Sequence, residues 1–295
     1  MGKSFTQYVF TGIIFSVLWS SASIAGKFGL YSVEPLVLFN IRFILAGTLL
    51  LIYAYVIKKS RLPVGQEWKH LTVFGAFNTA LYLGIFIIAL QYITAGVTAL
   101  AIALNPLFIS LMSSFLSKRK VVLTEWISIV LGIAGVFIAS YPLLNTKDVT
   151  TSGLLLLALS MVAYSYGSVY YASVKWSLER VTINGWQVLI GGLLISPFTF
   201  LFHAQPNHFD SQFWFSLIWL IVPVSIVAVQ LWLILLKADA VRASIWLYLC
   251  PIFGLLFSAI LLDEPLSIYT VIGAILVLCA VFIGQKKIYA ATRRT

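Results

Sequence analysis

Charge is what this sequence has least of. Of its 295 residues only 9% are Asp, Glu, Lys or Arg, while 61% are apolar, and the mean hydropathy is +1.01. A soluble fold of this length could not cover its apolar surface with so few charges, so a soluble globular domain is excluded. Cysteine is scarce too: Cys250 and Cys279 both fall inside apolar runs. They read as small buried residues and not as a disulfide or a metal site. The three histidines, His70, His203 and His208, lie in loops or at the edges of apolar runs. No HExxH, DxD-like pair or Gly-rich phosphate loop is present. His208-Phe209-Asp210 is the one close His/acid pair, and Asp263-Glu264 reads as a helix-end feature. Neither a metal nor a cofactor is expected, and an enzyme is not the expectation.

Long apolar runs are what the chain does have. Ten of them, at roughly 8–29, 35–57, 68–91, 94–117, 122–141, 152–175, 184–203, 211–236, 241–262 and 266–286, read as transmembrane helices. Their short connections make neighbours antiparallel. The first run resembles a signal peptide, with Ser21-Ala22-Ser23 as a small-residue site, but it is too long, and no cleavage is expected. The net charge of +10 is an orientation signal and not a nucleic-acid footprint. With the N-terminus in the cytoplasm, that side holds Lys3, Lys58, Lys59, Arg61, Lys69, Lys118, Arg119, Lys120, Lys175, Arg180, Lys237, Arg242, Lys286, Lys287, Arg293 and Arg294. The outer side holds Lys27, read as snorkelling, and Lys147. This positive-inside bias predicts N-in and C-in.

The second half overlays the first at an offset of 145 residues without gaps. Ala95 meets Ala240, Pro106 meets Pro251, Phe108 meets Phe253, Gly47 meets Gly192, and Val136-Phe137-Ile138 meets Val281-Phe282-Ile283. Each half, 1–145 and 146–295, holds five spans. Five is odd, so the second half enters the membrane upside down. The predicted fold is therefore an all-α integral membrane protein of ten helices in two inverted five-helix repeats. That architecture is used by alternating-access transporters, with a solute site near the midplane. Pro106 and Pro251, mid-span in the fourth helix of each half, predict paired kinks beside a cavity and act as candidate gating points.

Local patterns agree. "LWSSASIAGKFGL" (18–30), "EPLVLFNIRFILAGTLLL" (34–51) and "LLDEPLSIYTVIGAILVLCAVFIG" (261–284) resemble the first-span, second-span and closing-span patterns of the EamA-type branch of the drug/metabolite transporter superfamily. Ser20 stands where that family usually has Gly, and the first-half counterpart of the Glu-Pro loop carries a basic cluster instead. The resemblance covers nearly the whole chain. It implies an exporter of amino acids or related amphipathic solutes, without cofactor. Hydrophobic-drug export and a non-transporting sensor or scaffold are the alternatives. A multi-pass protein of a bacterial inner membrane is expected, whose partners are the solute and the bilayer; a monomer suffices.

Arg42 stands seven residues into the second run. In lipid it would cost about 2.5–3.5 kcal/mol, so it should face protein or a wet cavity. The expected role is to tie helix-end carbonyls together, with contact to an anionic solute as the alternative. Its 145-offset counterpart, Gln187, can also bridge carbonyls. The remaining candidate cavity residues are Trp19, Asn40, Asn78, Tyr82, Thr98 and Asn105 in the first half. In the second they are Tyr164, Tyr166, Gln187, Gln230, Trp246 and Tyr248. Trp19 and Tyr164 are offset partners, and Asn78 and Tyr82, four apart, should share a helix face. Each could equally be interhelical packing. As a set they describe an aromatic, hydrogen-bonding, uncharged cavity. No Asp, Glu or His lies clearly mid-span, since Glu34, Glu67, Glu125 and Glu179 are at span ends. That favours a facilitator or exchanger over proton coupling, with Glu34 or Glu125 as the alternative route for coupling.

Overall fold

The computed structural model describes residues 2–116, 123–146, 148–237 and 240–292. Lys118, Arg119, Lys120, Lys147, Arg293 and Arg294 lie outside these residues, as do the side chains of Lys3, Glu125, Arg242, Lys286 and Lys287. Ten helical segments follow one another: α1 (Gly2–Leu30), α2 (Pro35–Ile57), α3 (Gln66–Ala89), α4 (Ala95–Leu116), α5 (Leu123–Thr146), α6 (Thr151–Ser173), α7 (Arg180–Leu201), α8 (Ser211–Leu236), α9 (Cys250–Leu261) and α10 (Ile268–Thr292). A short helix, Ala240–Ser244, and a 3-10 stretch, Ile245–Leu249, lead into α9. Among the described residues, eight helices are long and apolar enough to cross a membrane, and Trp246–Leu261 and Ile268–Ala280 are shorter apolar helices.

The helix starts are set by local chemistry. Pro35 opens α2 because its ring already holds the helical φ and it has no N–H to leave unpaired. Thr94, Thr150 and Asp210 accept hydrogen bonds from Val97 N, Gly153 N and Phe213 N, capping α4, α6 and α8. The Glu264 carboxylate accepts from Ala95 N and Gly96 N, 2.8 Å each, and covers the free amides at the start of α4. The acidic pair at 263–264 is thus a helix-end feature, though for a helix distant in sequence. Two pairs of starts, Pro35 and Arg180, Gln66 and Ser211, are each 145 residues apart.

Packing follows the same relation. α2 runs along α7, and α5 along α10; α1 lies on α8 and α9, while α6 lies on α3 and α4. Small residues let the backbones approach. A Cβ at Gly273 would fall 2.4 Å from Gly135 O, and one at Gly47 only 2.8 Å from Leu189 N.

The fourth helix of each half is interrupted. α4 consists of Ala95–Ile102 and Asn105–Leu116, and the corresponding break in the second half precedes Cys250, which is 145 residues after Asn105. Pro106 and Pro251 occupy the first turn of the helix after each break, where a missing N–H costs nothing. A freed carbonyl finds a partner on α1: Ser16 Oγ lies 2.6 Å from Trp246 O and 2.8 Å from Gly12 O, which share its one proton. π-helical turns at Ala76–Leu81 and Leu220–Ala228 loosen α3 and α8 at overlapping offset positions.

Cys250 is buried and Cys279 is exposed, and both are free. Burial of Cys279 is therefore corrected: it sits on the outward face of α10, where a thiol tolerates apolar surroundings.

Candidate functional site

Aromatic side chains meet where α1, α3, α6 and α8 converge. Tyr164 lies with its ring centroid 5.9 Å from that of Trp19, 4.7 Å from Tyr82 and 5.7 Å from Trp232. Phe15 closes the group, 4.9 Å from Trp232 and 5.4 Å from Trp19. All five are buried. Trp232 Nε1 has no protein partner. Offset partners Trp19 and Tyr164 are thus direct neighbours.

A chain of polar side chains runs beside them. Thr79 Oγ1 (2.6 Å) and Asn78 Nδ2 (3.2 Å) donate to Gln187 Oε1; Gln187 Nε2 donates to Asn184 Oδ1 (3.0 Å). Asn184 Nδ2 donates to Ser225 O (3.0 Å), and the Ser225 hydroxyl accepts from Arg42 Nε (2.8 Å). The chain links α3, α7, α8 and α2, and joins the offset partners Arg42 and Gln187. Arg42 is 1% exposed, its guanidinium lies 4.6 Å from the Phe39 ring centroid and 5.4 Å from that of Phe43, and its Nη1 has no protein partner. Carbonyl bridging is corrected for both: Arg42 Nε bonds a hydroxyl, and Gln187 bonds side chains.

Asn78 and Tyr82 both meet α6: the Asn78 backbone and Cβ lie against Gly167, and the Tyr82 ring lies tilted 4.7 Å from that of Tyr164, while the Asn78 amide donates to Gln187 across the π-helical turn. Asn105 is fully buried at the break in α4, with neither amide atom bonded. Other candidates lie apart. Asn40 donates to Gly192 O and Ser196 Oγ and stitches α2 to α7. Thr98 bonds Thr94 O in its own helix, and Gln230 reaches Arg180 O at a helix end. Tyr166 packs on Phe77 at 4.3 Å, Trp246 packs on Tyr8 at 5.7 Å, and Tyr248 is half-buried. Phe15, Trp232, Ser225, Asn184 and Thr79 escaped the sequence reading. The i, i+3 pair Asn184/Gln187 in an apolar run was the signal for one of them.

Clasps of polar residues close both ends of α2. At its start, Glu34 accepts from His203 Nδ1 (2.5 Å), Ala204 N (2.8 Å) and Gln205 N (2.8 Å), and Asn207 Oδ1 accepts from Glu34 N (2.8 Å). Burial pushes the Glu34 carboxyl up, but these donors outweigh it and hold it at about 2. Beside it Ser32 donates to Asp210. At the far end of α2, Arg61 grips Glu67 with both nitrogens (2.5 and 2.7 Å), Ser177 donates to Glu67, and Ser60 donates to Glu179 (3.1 Å). Glu34 and Glu179, one at each clasp, are 145 residues apart. Lys27 is half-buried near the end of α1.

Comparison with known proteins places these features in a family. The model of the EamA-like transporter family matches twice, over residues 6–141 and 151–283. The chain is 22% identical to the uncharacterized transporter YoaV of Bacillus subtilis, over 94% of this chain and 96% of that one. It is 29% identical to protein PecM of Dickeya dadantii (85% and 83%). It is 24% identical to the uncharacterized inner membrane transporter YedA of Escherichia coli (85% and 81%). A crystal structure at 20% identity shares the fold with a TM-score of 0.69, covering 95% of this chain and 97% of that one.

Proposed function

Because the chain belongs to the EamA-like transporter family, and so is a multi-pass membrane transporter, we propose that it works by alternating access on small amphipathic metabolites. Amino acids and related solutes are the class, and export is the direction. The observation that carries this is the buried group of aromatic rings and polar side chains to which α1, α2, α3, α6, α7 and α8 all contribute. An aromatic wall takes the apolar part of a solute, and the hydrogen-bonding chain takes its polar end.

Two halves of five spans each, one inverted, rock about this centre. Support comes from the helix starts separated by 145 residues, from the exchange of packing partners between halves, and from the double match to one family model. The clasp at Glu34 and the clasp at Glu67 serve as gates on opposite faces. The orientation is N-in and C-in, which puts Lys58, Lys59, Arg61 and Lys175 in the cytoplasm. A bacterial inner membrane fits this bias and the printed name of the E. coli relative.

The test is a thermal-shift screen of the purified protein against amino acids, nucleosides, amines and organic acids, followed by flux of the hits into liposomes. A ligand bound to the folded state raises Tm by mass action. Expected are hits among amino acids and organic acids that also cross the liposome membrane. Hits that bind without flux would show a sensor or scaffold instead.

A further inference from the structure

Arg42 is the one described cation buried among the central helices, and among the described residues it has no acidic partner. The ion pairs of the described residues, Arg61–Glu67 and His203–Glu34, lie at the ends of α2. The hydrogen-bonded chain joins Arg42 through Ser225, Asn184 and Gln187 to Asn78 and Thr79 on α3, the helix that also carries Tyr82, whose ring lies 4.7 Å from that of Tyr164. So Arg42 and the aromatic group belong to one site, built from α2, α3, α6, α7 and α8.

The guanidinium is held in a particular way. Phe39 and Phe43 flank it, and Ser225 engages Nε. That fixes the plane of the fork while leaving Nη1, wholly buried, without a protein partner. A buried charge with an unfilled donor is costly unless a counter-ion arrives. A guanidinium fork matches the two oxygens of a carboxylate better than any neutral head group. Trp232 Nε1, buried and unpartnered, adds a donor beside aromatic faces. Among the described residues no carboxylate stands there to receive an ammonium group.

We propose that Arg42 is the carboxylate-binding residue of the solute site, so that the transported class is carboxylates with an apolar body, and amines lacking a carboxylate are rejected. This rests on the transporter reading above and narrows it.

The test uses three probes with one body and different heads: 3-phenylpropionate, 3-phenylpropionamide and 3-phenylpropylamine. In the wild-type protein the carboxylate should raise Tm, with the amide and amine binding at least about tenfold more weakly, the scale of a lost charged hydrogen bond. Arg42→Gln should abolish the carboxylate shift, and Arg42→Lys should retain part of it. The proposal is overturned if the amide or amine binds as tightly as the carboxylate, if none of the three binds, or if Arg42→Gln keeps the full shift. The wild-type comparison stands even if Arg42→Gln does not fold. Liposome flux separates the two readings. Flux of the amine with exclusion of the carboxylate sinks this proposal and keeps the transporter. Carboxylate binding lost in Arg42→Gln, with no flux of any probe, keeps the site and sinks the transporter.

Discussion

Glu34 illustrates how one carboxylate can hold a helix start to a distant loop. It receives donors from the loop between α7 and α8, and its folded carboxyl sits at about 2 against 4.5 for the free group. A depressed carboxylate contributes stability that is complete above the unfolded value and is lost as pH falls through the folded one. Glu34→Gln should therefore lower Tm in detergent at pH 7, and the gap to wild type should narrow as pH falls from about 4.5 towards 2. A gap that is constant across that range would mean the clasp adds no charge-dependent stability. Arg61–Glu67 at the other end is partly exposed, so its pairing should be worth little on its own. Arg42 was legible as a residue that must avoid lipid, because its cost in hydrocarbon is a property of the side chain alone. Its bond to Ser225 was not legible, because 183 residues separate the two.

At the scale of elements, the interrupted helices are the informative ones. α4 and the segment leading into α9 break at equivalent places, and Pro106 and Pro251 stand just after the breaks. With no N–H, neither can heal the gap by continuing the ladder. Pro106→Ala and Pro251→Ala should each slow liposome flux several-fold while leaving solute binding in the thermal-shift assay intact. Unchanged flux in both variants would remove the breaks from the mechanism. The prolines could be read from the sequence, and so could their pairing. The π-helical turn at Ala76–Leu81 could not, since such a turn leaves no fixed residue signature and is decided by packing against α7 and α6.

For the whole molecule, orientation is the next quantity to measure. Gln205→Cys, in the loop that holds Glu34, should react with a membrane-impermeant thiol reagent in intact cells. Leu62→Cys, beside Arg61, should react only after permeabilisation. The opposite pattern would invert the assignment of both gates. Cys279 is exposed on the outer face of the bundle and Cys250 is buried, so a parent with Cys279→Ser keeps the background low.

Composition and order along the chain by themselves determined that this protein lives in a bilayer, where its apolar runs lie, and that its halves share one pattern. Those properties depend on local side-chain chemistry and on sums of charge and hydropathy, which a linear sequence carries in full. The family followed from short motifs for the same reason. Only the tertiary structure decided that Trp19, Tyr82, Tyr164 and Trp232 converge, that Arg42 and Gln187 are joined through Asn184 and Ser225, and that Glu264 caps α4. Each of these links residues far apart in the chain. Apolar helices with nearly uniform surfaces say little about which face meets which neighbour, so that choice is made by close packing at glycines and by satisfaction of buried polar groups.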